Sequence, residues 1–205
     1  MRAGDVPSAA AADLVVVRAG GIAALATACA DAPAPTETAL RAHEAITQRI
    51  HEDGASLPSR FGQLFADENA LAEVLRDRAD SLAHSLDDFG SRVELAITLT
   101  WRATRAVRTT PATSGRTYLE AAAARERERR EAEQVVARLV EQLPCERAFI
   151  RHLMCPRDGI AATVAILCAR DEVTMLRRAV DSFGERSSEV SASVHGPLPP
   201  YSFAT

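Results

Sequence analysis

The spacing of apolar residues changes several times along this chain, and each change marks an element. Leu14-Val15-Val16-Val17 reads as a short buried strand rich in β-branched residues, after which Gly20-Gly21 turns the chain. Ile22 to Cys29 is expected as a brief helix, ended by the linker that Pro33 and Pro35 enforce. The next helix begins near Thr36, a capping residue, and carries Ala39, His43, Ile46 and Ile50 at three-and-four spacing, with Glu37 at the positive end of the helix dipole. Between Asp67 and Phe89, Leu71, Val74, Leu75, Leu82, Leu86 and Phe89 make one apolar stripe opposite Glu73, Arg76, Asp77 and Asp80, and Gly90 is expected to end it as a left-handed cap.

After Gly90 the helical period gives way to strict alternation. Val93, Leu95, Ile97, Leu99 and Trp101 alternate with Arg92, Glu94, Thr98 and Thr100, which predicts a strand with one wet face. A polar Arg/Thr loop through Pro111 to Gly115 leads into a long helix from about Thr117 to Leu143. In its first half Glu126 and Arg130, or Arg127 and Glu131, pair one turn apart, whereas Val136, Leu139, Val140 and Leu143 anchor the second half. Strand signals at Ala148 to Met154 and Ala161 to Ala169 flank a turn from Pro156 to Gly159 and predict a hairpin. Asp171 is expected to cap a helix that turns Val173, Leu176, Val180 and Phe183 inward, and Val190, Ala192 and Val194 alternate with serines in a last strand. From Val93 onward the order is β-α-β-β-α-β, that of a ferredoxin-like sandwich with an antiparallel sheet and two helices on one face.

Composition narrows the partners rather than the fold. At 205 residues and 47% hydrophobic the chain has enough apolar surface for a core or two, in one compact two-part body. With 28 acidic against 24 basic residues no global field draws it to nucleic acid, so a protein partner is expected. The glutamates interleaved with the arginines of the long helix argue the same way. Four cysteines, Cys29, Cys145, Cys155 and Cys168, lack the C-x-x-C spacing of a zinc knuckle or redox pair and are expected as reduced, mostly packed thiols in a cytoplasmic protein. No apolar run reaches the roughly 18 residues of a spanning helix, and Asp5, Asp13, Arg18 and Gly20-Gly21 interrupt what faintly imitates a signal peptide.

A search for catalytic and cofactor motifs finds none. His43-Glu44 and His51-Glu52 each open like a zinc-protease helix, but Thr47 and Ala55 stand where the second histidine belongs. No phosphate loop, dinucleotide fingerprint or nucleophile elbow occurs, so neither a cofactor, a metal nor a catalytic residue is assigned. His43, on the apolar stripe of its helix, reads as a hydrogen-bonded core histidine. Arg60, between Pro58 and Phe61, either binds a carboxylate inside the fold, with Glu44 the favoured mate, or offers its guanidinium to a partner.

Gly196-Pro197-Leu198-Pro199-Pro200-Tyr201-Ser202-Phe203 follows the last strand directly. On composition alone it reads either as a frayed tail or as a docked segment; if docked, its prolines make it run extended across a surface that receives Tyr201 and Phe203. This run closes a series comprising Ala42-His43-Glu44, Leu57-Pro58-Ser59-Arg60-Phe61-Gly62, Phe65-Ala66-Asp67-Glu68, Gly90 with Val93-Glu94-Leu95, and Ser114-Gly115 with Tyr118-Leu119. In order and spacing the series resembles the gas-vesicle protein F/L family, although Leu198 stands where the family usually has tryptophan.

The resemblance implies an α+β protein with an N-terminal α/β domain over residues 1–90 and a ferredoxin-like C-terminal domain over residues 91–205, the latter carrying a protruding helical arm and the Pro/aromatic tail. It also implies an accessory protein of gas-vesicle assembly, cytoplasmic and vesicle-associated, without nucleic-acid or membrane binding. The implied partners are the small hydrophobic shell protein and other vesicle accessory proteins. Arg60, Phe61, Pro199, Pro200, Tyr201 and Phe203 are the expected border of the partner surface. A minor component of the vesicle wall is the alternative, and a small-molecule-binding or enzymatic ferredoxin-like domain a remoter one.

Overall fold

The computed structural model of the chain describes residues 1, 14–102, 115–146, 149–153 and 159–204. Expectations that fall on Asp5 and Asp13, on the Arg/Thr loop through Pro111 and on the turn beginning at Pro156 lie outside the described residues. The chain divides into two compact units, one formed by Met1–Glu94 with Leu198–Thr205, the other by Leu95–Pro197. The closing run, assigned on sequence to the C-terminal domain, is therefore split: Leu198 to Phe203 group with the first unit, Gly196 and Pro197 with the second.

In the first unit β1 (Leu14–Ala19) pairs antiparallel with β2 (Ile22–Thr27), Ala19 facing Ile22 across the turn. The helix expected over Ile22 to Cys29 is thus a strand. The reason lies in the two glycines: Gly20 at φ +58° and Gly21 at φ +76° are consecutive left-handed residues, the signature of the two-residue hairpin turn whose twist matches the flanking strands. The alanines that favour a helix in isolation yield to that pairing.

α1 (Glu37–Asp53) starts as expected, with Thr36 Oγ1 accepting from the Ala39 amide at 3.2 Å. The stripe between Asp67 and Phe89 is divided into α2 (Glu68–Asp77) and α3 (Ala79–Phe89) at Arg78, whose φ of −106° and ψ of 11° leave the helical well. A Cβ on Gly20 would lie 2.7 Å from Ala79 Cβ and 3.2 Å from the Leu75 carbonyl oxygen, so the hairpin turn fills this joint and leaves no room for a side chain. Leu71, Leu75 and Leu86 of the stripe nevertheless bury together against Val17 and Ile22, each such side chain contributing about 1.5–3 kcal/mol.

Gly90 is not the left-handed cap expected. Its φ of −61° and ψ of −26° are right-handed, and the residue is small for another reason: a Cβ there would stand 2.4 Å from the Leu86 carbonyl oxygen and 2.8 Å from Ala55 Cβ.

The second unit carries β3 (Val93–Trp101, from Leu95 on), α4 (Gly115–Gln142), β4 (Ile150–Leu153), β5 (Ile160–Cys168), α5 (Val173–Arg186) and β6 (Val190–Leu198, as far as Pro197). Its sheet order, β4-β5-β3-β6, is the ferredoxin-like order for this chain sequence, and β4 and β5 form the expected antiparallel hairpin with Ile150 facing Ile166. The two central strands bury Leu95, Ile97, Leu99, Ala162, Val164 and Ile166 almost completely. Pro197 is tolerated inside β6 because β6 is an edge strand, where a missing amide breaks no ladder.

α4 behaves as its sequence predicts. Ala132, Val135, Val136, Leu139 and Leu143 are buried, whereas the first half is exposed and laced by ion pairs. The Glu126–Arg130 pair is among them at 2.9 Å, and Arg129 links Glu126 to Glu133. α5 departs in one respect: its cap position is Glu172, not Asp171, and the Glu172 carboxylate accepts from the Ala169 amide at 2.8 Å outside the helix.

Candidate functional site

The closing run is docked, and it is extended only as far as Leu198, where β6 ends; from Pro199 on it is coiled. Proline carbonyls accept although proline nitrogens cannot donate: Tyr201 N donates to Pro199 O at 2.7 Å, and Phe203 N and Ala204 N donate to Pro200 O at 3.1 and 3.0 Å. The resulting turn drives Phe203, only 4% exposed, against Phe89 with ring centroids 6.1 Å apart. Pro199 and Pro200 are buried as well, and Tyr201 is half-buried.

Glu94 holds this turn from inside. The Ser202 amide donates to Glu94 Oε2 at 2.7 Å and the Ser202 hydroxyl to Oε1 at 2.8 Å, so one residue of the tail occupies both carboxylate oxygens. Glu94 lies on the face of β3 that alternation assigns to water, yet it is 4% exposed. Burial raises its pKa above the ordinary carboxylate range, and the two Ser202 hydrogen bonds oppose that rise. The Tyr201 phenol is also raised, first by burial and further by the nearby Glu44 and Glu94 charges, against the lowering effect of its hydrogen bond with Thr47.

The loop after α1 reaches the same helix turn. His43 Nε2 lies 3.2 Å from Ser59 O, and its ring meets Phe61 edge-on at 5.6 Å. Thr47, the partner of Tyr201, donates its hydroxyl to His43 O at 2.8 Å. Loop and tail are therefore tied to adjacent positions of α1. Gly62 at φ +79°, with Gln63 N donating to Arg60 O at 3.3 Å, bends the loop as a turn with a left-handed third residue requires. Beyond the bend Leu64 and Phe65 are 49% and 36% exposed.

Among the described residues no ion pair joins Arg60 to Glu44; the guanidinium is exposed, and the internal pairing favoured on sequence is absent. Of the expected border residues, then, Arg60 faces solvent, Phe61 and Tyr201 are half-buried, and Pro199, Pro200 and Phe203 form the inner side of the dock.

One group escaped the sequence reading. His51, 2% exposed at the end of α1, places Nδ1 3.2 Å from Ser56 Oγ and Nε2 2.8 Å from Arg92 O. In the neutral ring the carbonyl fixes the proton on Nε2, leaving Nδ1 to accept the serine hydroxyl. That is the polarity of a nucleophile–base pair, but Ser56 is itself 5% exposed, so the pair presents no face to a substrate. It works as a buckle joining α1, the following loop and the entry to β3. The sequence signal was weak, since His51 lies beside the apolar stripe rather than on it.

Among the described residues no three His, Cys, Asp or Glu side chains gather as a metal site, and no helix is long and apolar enough to cross a membrane. Of the four cysteines, Cys168 is buried, Cys145 half-buried and Cys29 exposed, whereas Cys155 lies outside the described residues; burial raises the Cys145 pKa.

A hairpin-and-helix unit closed by an aromatic tail, and in the same chain a ferredoxin-like unit whose long helix has an exposed first half, define a class of mixed α+β protein whose polar clamps are spent on its own chain. Comparison with known proteins specifies the class. The chain belongs to the gas vesicle synthesis protein GvpL/GvpF family, whose model matches residues 4–205. It is 29% identical to gas vesicle protein F of Streptomyces sp. (strain CB03234) over 203 residues, covering 88% of this chain and 84% of that protein. Its fold is shared with the crystal structures of GvpF from Anabaena sp. PCC7120 (TM-score 0.71, 14% identity) and Microcystis aeruginosa (TM-score 0.70, 15% identity), each alignment covering 94% of this chain and 88% of the other.

Proposed function

We propose that this protein is an accessory factor of gas-vesicle assembly that captures the small hydrophobic shell protein before it polymerises, with other vesicle accessory proteins as further partners and the vesicle surface as its place of work. The reading gives it no catalytic step. A shell subunit that turns one apolar face to gas must be shielded while it is in water, and a partner surface with solvent-facing apolar groups supplies that shield. The observation that carries the reading is the loop beyond Gly62, where Leu64 and Phe65 stand 49% and 36% exposed next to a Phe61 braced by His43 and an exposed Arg60. Arg60 and Phe61 are assigned to the contact surface, Tyr201 to its border, and Pro199, Pro200 and Phe203 to the dock that keeps the border in place. The family's description as synthesis proteins supports a part in making the vesicle over a part in its wall.

The test is capture of tagged shell protein by the Leu64→Ser/Phe65→Ser double variant. Both residues are exposed, so stability should move by no more than about 0.5 kcal/mol per site. Capture should fall at least tenfold with the melting temperature kept; wild-type capture by the folded double variant would refute the assignment.

A further inference from the structure

We propose that the second unit contains a binding site for a carboxylate group, in a cleft where the last turns of α4 run beside the end of α5. The proposal is independent of the shell-protein reading. The cleft is open to solvent, has a volume of about 320 Å³ and is lined by Arg138, Gln142, Phe183, Arg186, Ser187, Ser188 and Glu189. Its volume is at the lower end of small-ligand sites, enough for a carboxylate and a few attached carbons.

The electrostatics favour one negative charge. Arg138 is neutralised by an ion pair with Glu189. Arg186 is held only by a neutral group, its Nη2 donating to Gln142 Oε1 at 2.8 Å, and no carboxylate pairs with it among the described residues. One guanidinium is thus in excess in the lining. The end of a helix normally presents carbonyl oxygens that repel an anion, but here Phe183 O and Gly184 O of the last turn and Ser187 O of the cap are already accepting hydrogen bonds. Arg102 Nη2 donates to Gly184 O at 2.8 Å and its Nε to Ser187 O and Val190 O at 3.0 and 3.1 Å, while Ser187 N donates to Phe183 O at 3.0 Å.

The hydroxyls complete the site. Ser187 Oγ accepts from the Glu189 and Val190 amides at 3.3 and 3.2 Å, so its own proton is left to donate. Ser188 lines the same wall. A planar fork with hydroxyl donors nearby suits the two oxygens of a carboxylate, and the Arg138–Glu189 pair shows that this wall already accommodates such a contact. A dianion is disfavoured by the Glu189 charge in the lining. The carboxylate belongs either to a free small acid or to an acidic side chain of a polypeptide.

Two-dimensional NMR of the full chain decides the matter. Acetate and a short glutamate-containing peptide are titrated separately at constant ionic strength, with chloride and phosphate as comparison anions. Saturable shifts at the Arg186 Nε–H and the Ser187 and Ser188 amides are expected below about 10 mM, where a millimolar site fills. Arg186→Gln should weaken them at least tenfold with the melting temperature kept, Arg186→Lys should retain part of the effect, and the distant Arg116→Gln none of the loss. Tighter binding of the peptide would assign the carboxylate to a polypeptide, and equal binding to a free acid. The proposal fails if no saturable shift occurs, if chloride reproduces it, if phosphate binds and acetate does not, or if folded Arg186→Gln titrates like the wild type.

Discussion

Replacing Glu94 by glutamine should hold the tail at least as firmly at neutral pH, whereas replacing it by alanine should release it. Burial makes the charged form of Glu94 the disfavoured one, and the Ser202 bonds only offset part of that effect. Its folded pKa is raised, so the stability linked to this group is fully present below the ordinary carboxylate range and is lost as pH climbs through the raised value. Acidification from neutral pH should therefore tighten the tail as far as Glu94 is concerned. Glutamine imitates the protonated acid: its Oε1 accepts the Ser202 amide and its Nε2 donates to the Ser202 hydroxyl, replacing the 2.7 and 2.8 Å bonds without a buried charge.

Alanine removes both bonds, and the loss, reduced by the relieved desolvation, is about 2–3 kcal/mol. In hydrogen exchange of the Ser202 amide that is on the order of 30- to 150-fold faster opening. Protection corrected for intrinsic exchange should increase in the wild type as pH falls, stay level in Glu94→Gln, and collapse in Glu94→Ala. Equal loss of protection in the glutamine and alanine variants at neutral pH would show that the charge itself holds the tail and would refute the reasoning.

Three further outcomes follow from other parts of the chain. His51→Leu should destabilise the first unit by about 1–3 kcal/mol, read by urea denaturation, because the buried hydrogen bonds of the ring with Ser56 Oγ and Arg92 O are lost. Gly20→Ala should cost clearly more than Gly21→Ala, since both have positive φ but only Gly20 would bring a Cβ to 2.7 Å from Ala79 Cβ; similar melting temperatures would contradict the packed turn. Glu126 should titrate at about 2 in carbon-detected NMR at low salt, held down by its hydrogen bonds to Arg129 and Arg130, and move toward the ordinary carboxylate range as salt screens the exposed pairs.

The sequence made most of the scaffold legible because apolar spacing reports which side of an element meets a core. The β3 alternation, the buried half of α4 and the β-α-β-β-α-β order all reappear in the structure. It was less informative where a neighbour decides the outcome. Ile22 to Thr27 is a strand because β1 lies alongside, and Arg78 interrupts an otherwise continuous stripe where the hairpin turn packs. Alternation likewise records that Glu94 is polar but not what covers it.

The tail was conspicuous for its prolines and aromatics, yet its anchor was not, because Glu94 and Ser202 are separated by 108 positions. Local rules carry no information on such a pairing, and propensity scales place both residues in water. The physical logic becomes visible only in three dimensions: a carboxylate drawn out of water by its strand needs donors, and a proline-rich turn leaves a serine amide and hydroxyl unspent beside a phenylalanine that needs cover. Each segment supplies what the other lacks. Phe203 shelters Phe89 while Ser202 satisfies Glu94, so hydrophobic burial and polar satisfaction reinforce one docked geometry instead of competing. The same economy leaves Arg60, Leu64 and Phe65 of the neighbouring loop exposed, and the proposed contact surface rests on this separation of an anchored inner side from an exposed outer side.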